Sequence, residues 1–219
     1  MAARRYRLGR RAETVADTRE RIVAATVALH RERGTLATSY ADIAKEAGVS
    51  LQTVHNHFPS LGDLLPACMG AAAVHAPVLG AETFADIAAA EERLAAFARA
   101  LLAQHAYYEP WMRWAVHEAH AIPDLGAALA QRRVELKHLV AQAVAPAFAG
   151  DPPASLVALL ATLLDIESWM LLRAQKDLSH KAADAALLEG ARALLRHFAE
   201  SAPARQAALP SAQPKGKRR

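Results

Sequence analysis

The hydrophobic pattern at the start of the chain predicts one long helix. Apolar and small side chains recur at intervals of 3 and 4 residues between Ile22 and Leu29, which places them on one face of an α-helix. Thr14 or Asp17 is suited to cap the N-terminus, and the glycine that follows Arg33 is suited to end the helix. We therefore expect a first helix from about Thr14 or Asp17 to Arg33.

Two short helices separated by a three-residue turn come next. Ser39 with Asp42 three residues later resembles a capping box, which predicts a helix over about Tyr40 to Ala47, and a glycine follows it. Ser50 is suited to cap the second helix, over Leu51 to Phe58. The proline after this segment ends it, because proline lacks an amide hydrogen and restricts the residue before it.

Helical patterning continues to about residue 200. Pro77 and Gly80 interrupt it, and Pro110 is suited to the first turn of a helix. The further predicted helices cover about residues 61–74, 83–105, 110–120, 123–145, 153–176 and 179–200. Composition agrees with this interpretation, because 53% of the residues are hydrophobic, Ala and Leu dominate, and only 10 are glycine. The predicted fold class is all-α, with about nine helices.

The two ends of the chain are strongly basic. Residues 1–11 hold five arginines and residues 201–219 hold five basic residues, and neither segment contains an acid. Ten of the 26 Lys and Arg lie there, which leaves 16 in the body against all 22 Asp and Glu. Basic arms on a mildly acidic body suggest segments that find an anionic polymer, with nucleic acid as the first candidate. The alternative is that both ends are solubilising tails.

No sequence signal points to secretion, a membrane span or enzyme chemistry. Cys68 is the only cysteine, no signal peptide opens the chain, and no stretch of eighteen residues is uniformly apolar. His117, Glu118 and His120 do not match a zinc peptidase, which needs two histidines four residues apart. We expect a cytoplasmic protein that is not an enzyme and has no cofactor, no metal, no catalytic residues and no membrane partner.

Residues 40–58 meet the requirements of a helix-turn-helix. Apolar residues can form the underside of both helices, Ala44 allows close approach, and Gly48 suits the turn. The second helix then presents polar side chains outward, and amides pair with adenine edges while threonine reaches thymine methyls or phosphates. The alternative is an ordinary solvated helix face. The expected DNA contacts are Ser39, Tyr40, Ala41, Ser50, Leu51, Gln52, Thr53, His55, Asn56 and His57.

Several segments in order resemble the DNA-binding half of the TetR family. They are Asp17–Ile22, Ile43–Ser50, His57–Ser60 and Leu64–Leu65, within a match of about residues 17–69. The resemblance implies a homodimeric regulator, usually a repressor, whose C-terminal helices bind a small molecule that weakens operator affinity. This sequence departs from the family pattern at His55, where a tyrosine is common, and at Leu61, where a lysine is common.

We predict a division of the chain into four segments. We expect a basic N-terminal arm at 1–13, a helix-turn-helix DNA-binding domain at 14–62, a ligand-binding and dimerisation domain at 63–200, and a basic disordered tail at 201–219. Five basic residues face seven acids between residues 12 and 65, so the arm must supply much of the attraction to DNA. Arg4, Arg5 and Arg7 are the expected minor-groove contacts.

Two sets of residues in the C-terminal half are candidate contacts. Aromatic walls with a few polar groups suit a small apolar ligand, although the same side chains could simply fill the core. The pocket candidates are Tyr107, Trp111, Trp114, His117, Glu118 and Trp169. The last two helices are too apolar for a monomer surface, which predicts a four-helix dimer interface rather than an apolar monomer core. Its candidates are Leu156, Leu160, Leu163, Leu187, Leu194 and Phe198.

The sequence therefore predicts a transcriptional regulator that binds a pseudo-palindromic operator in double-stranded DNA and is released by a small molecule. Two alternatives stay open: a TetR-like regulator controlled by a protein partner without a small ligand, and an all-helical enzyme.

Overall fold

The computed structural model describes the backbone of residues 2–176 and 178–207, and the side chains of residues 15–174 and 178–201. Over these residues the chain forms nine α-helices and no strand, with single 3-10 turns at Ala81–Thr83 and Ala145–Ala147. The prediction of an all-α fold is confirmed. The helices are α1 (Ala2–Arg33), α2 (Tyr40–Ala47), α3 (Leu51–His57), α4 (Leu61–Ala73), α5 (Ala90–Glu118), α6 (Pro123–Val144), α7 (Ala154–Leu163), α8 (Ile166–Lys176) and α9 (His180–Ala207).

One compact unit comprises the chain up to Pro77 together with Ala103–Arg132. Its first four helices share a core in which α1 packs on both α2 and α4. Burial of these apolar side chains is the main source of stability for helices as short as α2 and α3. The buried residues of this core are Ile22, Val23, Ala25, Leu29, Ile43, Ala44, Ala47, Val54, Phe58, Leu64, Leu65 and Cys68.

The turn between α2 and α3 is built from local hydrogen bonds. Gly48 has φ +65°, the left-handed conformation that a side chain disfavours, and its N–H donates to the Lys45 carbonyl at 3.2 Å. Val49 N–H donates to the Ala44 carbonyl at 3.0 Å. The Ser50 hydroxyl then caps α3 by accepting from Thr53 N–H at 3.1 Å. These contacts confirm the predicted bounds of α2 and the predicted turn.

The second compact unit comprises Val78–Leu102 and the chain from Arg133 onward. Its core is formed by large side chains that are almost completely buried, among them Phe84, Leu94, Phe97, Leu156, Leu160, Leu164 and Trp169. At its surface, Glu91 pairs with Arg192 at 3.6 Å and with Arg196 at 3.0 Å, joining the start of α5 to α9. Helix α9 is thus held by apolar packing and by ion pairs.

The two units do not follow the predicted division at residue 62. Helix α4 packs on α1, and residues 103–132 cluster with the head, so both lie in the first unit. The division of 14–62 from 63–200 therefore does not separate the compact units. Sequence periodicity identifies a buried helix face but carries no information on which helix covers it.

Several of the predicted helix boundaries differ from the structure. Pro110 lies inside α5 rather than opening a new helix, and the segment 153–176 is two helices with a bend of 44° between them. At the bend, the Asp165 carboxylate accepts from Glu167 N–H at 3.0 Å and so caps the start of α8. Helix α1 begins at Ala2, where alanine, arginine and leucine favour helix, and α9 continues past Glu200 to Ala207.

No single helix in the described part of the chain is long and apolar enough to cross a membrane. Helices α7 and α8 reach the required length and apolarity only as a pair, across their bend.

We expect Gly48→Ala to destabilise the protein by about 1–2 kcal/mol, because alanine must adopt a left-handed backbone there. The added Cβ would also lie 3.2 Å from Arg21 Nη2. Gly70→Ala is the matched control, since it lies inside α4 with no atom within 4 Å of the new Cβ. That change should stabilise by about 0.5–1 kcal/mol. Urea denaturation of both variants measures the effects, and equal stabilities would contradict the assigned turn.

Candidate nucleic-acid interface

Helix α3 has one face locked into the core of the head. Val54 is 0% exposed and the flanking Phe58 is 1% exposed, so rotation of the helix about its axis would expose apolar surface. The remaining positions face outward as a consequence of the helical repeat. Gln52, His55 and Asn56 are exposed, whereas Thr53 and His57 are half-buried.

The outward side chains of α3 are partly ordered by hydrogen bonds to one another. Gln52 Nε2 donates to Asn56 Oδ1 at 2.9 Å across one helical turn. The hydroxyls of Ser50 and Thr53 are 2.8 Å apart. The amide pair keeps the Gln52 carbonyl oxygen and the Asn56 amino group available as an acceptor and a donor, which are the two groups that an adenine edge requires.

Tyr40 supports α3 from the start of α2. Its ring lies 4.8 Å from the His55 ring, centroid to centroid. The Tyr40 hydroxyl is buried and has no hydrogen-bond partner among the described residues. Burial, followed by the negative charge of Asp63, raises the pKa of this phenol, so it stays a protonated donor. Tyr40 therefore orients His55 and has a donor to offer if the site opens.

The start of α2 is occupied by its own cap. Ser39 Oγ donates to Asp42 Oδ2 at 2.7 Å and accepts from Asp42 N–H at 3.1 Å. These hydrogen bonds from the Ser39 side chain and backbone, with Arg33 at 3.5 Å, hold the pKa of Asp42 below its usual range. A phosphate close to Ser39 would be repelled by the negative charge of this carboxylate. The neighbouring Ala41 is exposed.

Two arginines of α1 brace the helix-turn-helix. Arg21 Nη2 donates to the Ala47 carbonyl and, at 3.2 Å, to the Gly48 carbonyl, which ties the turn to α1. The guanidinium of Arg19 lies 4.8 Å from the centre of the Phe58 ring, a cation–π contact below α3. Both contacts fix the recognition helix relative to α1.

The arginine arm falls within α1 as the structure has it. The side chains of Arg4, Arg5 and Arg7 lie outside the described residues. Their assignment to the minor groove stays a prediction.

Residues 22–68, which include all of this helix-turn-helix, match the family model for bacterial regulatory proteins of the tetR family. The chain carries a TetR-type DNA-binding domain. The sequence resemblance is thus confirmed over residues 22–68.

Solved structures match the fold of this chain over more than the TetR-type domain. A candidate transcriptional regulator from Streptomyces coelicolor A3(2) is 23% identical, with a TM-score of 0.58, over 81% of this chain and 98% of that chain. A TetR transcription regulator from Haloarcula marismortui ATCC 43049 is 20% identical, with a TM-score of 0.57, over 85% of this chain and 98% of that chain.

A third structure with this fold is that of the multidrug binding protein EbrR complexed with imidazole. It is 22% identical, with a TM-score of 0.51, over 82% of this chain and 93% of that chain. None of the curated proteins matches the sequence. At these identities, the structural neighbours establish the fold of the chain.

Four of the six residues predicted to line a ligand pocket form hydrogen bonds to the main chain of the head. We call Tyr107, Trp111, Trp114 and Glu118 the α5 clamp. Tyr107 OH donates to the Ala72 carbonyl at 2.6 Å, Trp111 Nε1 to the Val27 carbonyl at 3.0 Å, and Trp114 Nε1 to the Arg31 carbonyl at 3.4 Å. The Glu118 carboxylate accepts from Thr35 N–H at 2.8 Å and Leu36 N–H at 3.1 Å. These polar groups are therefore engaged with α1, α4 and the loop after α1.

The other two pocket candidates lie elsewhere. His117 is exposed on α5. Trp169 belongs to the second unit, where it is 0% exposed and its Nε1 donates to Asp184 Oδ1 at 2.8 Å. The assignment of these residues to a ligand pocket stays a prediction.

The clamp spacing was available in the sequence. Its members follow one another at intervals of 4, 3 and 4, which is one helix face. The predicted helix start at Pro110 separated Tyr107 from the other three residues, so the spacing was not recognised as one helix face.

The predicted dimer residues divide into buried and partly exposed groups. Leu156, Leu160, Leu187 and Phe198 are covered within the second unit, being 0%, 0%, 1% and 7% exposed, so they have no surface left to bury against a partner. Leu163 and Leu194 are half-buried. Leu159 and Leu171, at 47% and 52% exposed, are further apolar surface on α7 and α8, outside the six candidate interface residues.

We expect stability to fall with pH through His30. Burial, opposed by the negative charge of Glu118, lowers the pKa of His30 to about 4. The folded state therefore binds fewer protons than the unfolded state between about pH 4 and 6.5, so stability is full above 6.5 and is lost as pH falls. From pH 7 to pH 5 the loss should be about 2 kcal/mol.

Urea denaturation at both pH values checks this expectation. His30→Gln should remove the pH-dependent loss, and His75→Gln, which replaces an exposed histidine, should leave it unchanged. If His30→Gln loses as much stability between pH 7 and pH 5 as the unaltered protein does, other titratable groups cause the loss.

Proposed function

We propose that this protein is a transcriptional regulator that binds double-stranded operator DNA by placing α3 in the major groove. The observation that carries the proposal is the division of α3 into a buried face, at Val54 and Phe58, and an outward face with the hydrogen-bonded pair Gln52 and Asn56. An amide pair presented in this way reads adenine edges. The TetR-type domain that contains α3 supports the same role.

Affinity comes mainly from outside α3. This helix holds no Lys, Arg, Asp or Glu, and the head between residues 12 and 65 has more acids than bases. Phosphate contacts therefore fall to the arginines of residues 1–11, with Arg4, Arg5 and Arg7 reaching the minor groove. Specificity and affinity then depend on different parts of the chain, and binding weakens steeply with salt.

The regulator acts as a homodimer through α7, α8 and α9. Leu159 and Leu171 leave apolar surface exposed on α7 and α8 of one chain, and a partner would cover it. Two heads related by two-fold symmetry place their recognition helices about 34 Å apart, one turn of DNA. The operator is accordingly pseudo-palindromic.

The protein is a cytoplasmic repressor that a small molecule releases from DNA. Support comes from the fold it shares with EbrR, described as a multidrug binding protein. The α5 clamp supplies a route, since any displacement of this part of α5 pulls on main-chain groups of α1 and α4. A screen of small apolar molecules by thermal shift, followed by operator titration, tests release. Ligands that stabilise the protein yet leave operator affinity unchanged would contradict it.

Replacing Gln52 and Asn56 with alanine should abolish sequence-specific binding. Loss of base contacts should weaken affinity for a duplex selected from random sequence by roughly tenfold to a hundredfold. Affinity for unrelated DNA, set by phosphate contacts, should change little. Gel-shift titration measures both affinities.

The control for this experiment is Gln142→Ala, which deletes an amide that also bonds one turn away, to His138 at 2.9 Å. It should bind as the unaltered protein does. Retained specificity in the double variant would reject α3 as the reading helix.

The double change Leu159→Glu and Leu171→Glu should produce monomers. Charges at these positions oppose burial of the apolar surface between two chains. Sedimentation velocity measures the mass, and affinity for a two-half-site operator should fall with it. Val78→Glu places a charge at a residue that is 71% exposed on the loop before α5 and should leave the dimer intact. If the double variant forms dimers as stable as those of the unaltered protein, the dimer interface does not include Leu159 and Leu171.

A further inference from the structure

The loop that connects α1 to α2 is held by a carboxylate from outside the helix-turn-helix. Both oxygens of Glu118 accept hydrogen bonds from consecutive backbone amides, Oε2 from Thr35 at 2.8 Å and Oε1 from Leu36 at 3.1 Å. Gly34, at φ +83°, turns the chain so that these two N–H groups point the same way. This is the geometry of a backbone anion nest, here occupied by a side chain of the same chain.

The fit between the nest and Glu118 is close. A Cβ added at Gly34 would lie 2.3 Å from Glu118 Oε1 and 3.0 Å from Trp114 Cβ. Glu118 is 8% exposed, and a buried carboxylate is costly unless hydrogen bonds compensate its charge. It also lies at the last residue of α5, where the helix dipole disfavours a negative charge. The compensation in the described part of the chain comes from the two loop amides.

Besides Glu118, the loop is held by two backbone hydrogen bonds, from Gly34 N–H to the His30 carbonyl at 3.1 Å and from Thr38 N–H to the Thr35 carbonyl at 3.2 Å. The Arg33–Asp42 ion pair spans it at 3.5 Å. Leu36 is 60% exposed, so apolar burial does not fix it, and the Thr38 side chain bonds only to the Gly34 carbonyl within the same loop, at 2.7 Å. Directly after the loop, Ser39 caps α2. The loop leads directly into α2, so its position contributes to the placement of α2 beside the Arg21 contacts that tie the turn to α1. Helix α2 carries α3 through the turn at Gly48.

We propose that Glu118 is a positioning residue for DNA binding. By holding the α1–α2 loop it sets the placement of the helix-turn-helix, although it contacts no DNA itself. This inference rests on the proposed function. It predicts that loss of the carboxylate damages sequence-specific binding more than it damages folding or attraction to phosphates.

The test compares Glu118→Gln with Glu92→Gln. Both remove one negative charge from α5, but Glu92 is exposed. Glu118→Gln places an amide N–H₂ against a loop N–H and so loses one of the two acceptors. At a temperature where all proteins are folded by circular dichroism, its affinity for the selected operator should fall about tenfold, with unchanged affinity for unrelated DNA and an unchanged salt dependence. Glu92→Gln should keep the specific affinity.

Amide exchange of Thr35 and Leu36 is measured in the same proteins without DNA. Faster exchange in Glu118→Gln together with a reduced ratio of specific to non-specific affinity supports the proposal. Faster exchange with an unchanged ratio overturns it, because the loop would then be free without consequence for recognition. If Glu118→Gln does not fold, Glu118→Asp replaces it, since that variant keeps the charge but withdraws the carboxylate by one methylene, and the same two outcomes apply.

Failure of the underlying function has a different signature. If the unaltered protein selects no duplex, DNA recognition is rejected and the positioning role with it, while protected amides at Thr35 and Leu36 would still report the Glu118 contact. If those amides exchange freely in the unaltered protein, the contact itself is absent and only the positioning inference fails.

Discussion

The burial of Val54 and Phe58 beneath α3 is the constraint on which the rest of the head depends. A helix of seven residues has no independent stability in water, so its existence and its rotation about its axis are both set by what its apolar side buries. With that side fixed, the amides of Gln52 and Asn56 have only one direction to face. The chemistry of recognition thus follows from a packing requirement.

The α5 clamp constrains the head through hydrogen bonds to its main chain. Tyr107, Trp111 and Trp114 donate to main-chain carbonyls, two of α1 and one of α4, and Glu118 accepts from main-chain amides. Because these bonds are made to backbone groups, they constrain the path of the chain rather than single side chains. A helix attached in this way transmits its position to α1, α4 and the loop before α2 together.

The described head carries little net positive charge close to α3. Asp42 stays ionised at the start of α2, His30 is buried and neutral, and α3 carries no Lys, Arg, Asp or Glu. A surface of this kind adds little long-range pull on phosphates. We propose that the basic N-terminal segment supplies the attraction to phosphates. Attraction to phosphates and recognition of bases then depend on different parts of the chain.

Elements with local sequence signals were predictable from the amino-acid order alone. The capping box at Ser39, the left-handed glycine at position 48 and the Ser50 cap depend on residues a few positions apart, so the bounds of α2 and the turn were predictable. Tertiary structure decided the rest. Pro110 lies within α5, and Tyr107, Trp111 and Trp114 around it donate to main-chain carbonyls of α1 and α4. These tertiary contacts offset the backbone hydrogen bond that the proline cannot donate. Leu156 and Leu160 are buried by their own chain because periodicity marks an apolar face without naming its partner, which is a property of distant residues brought together only by the fold.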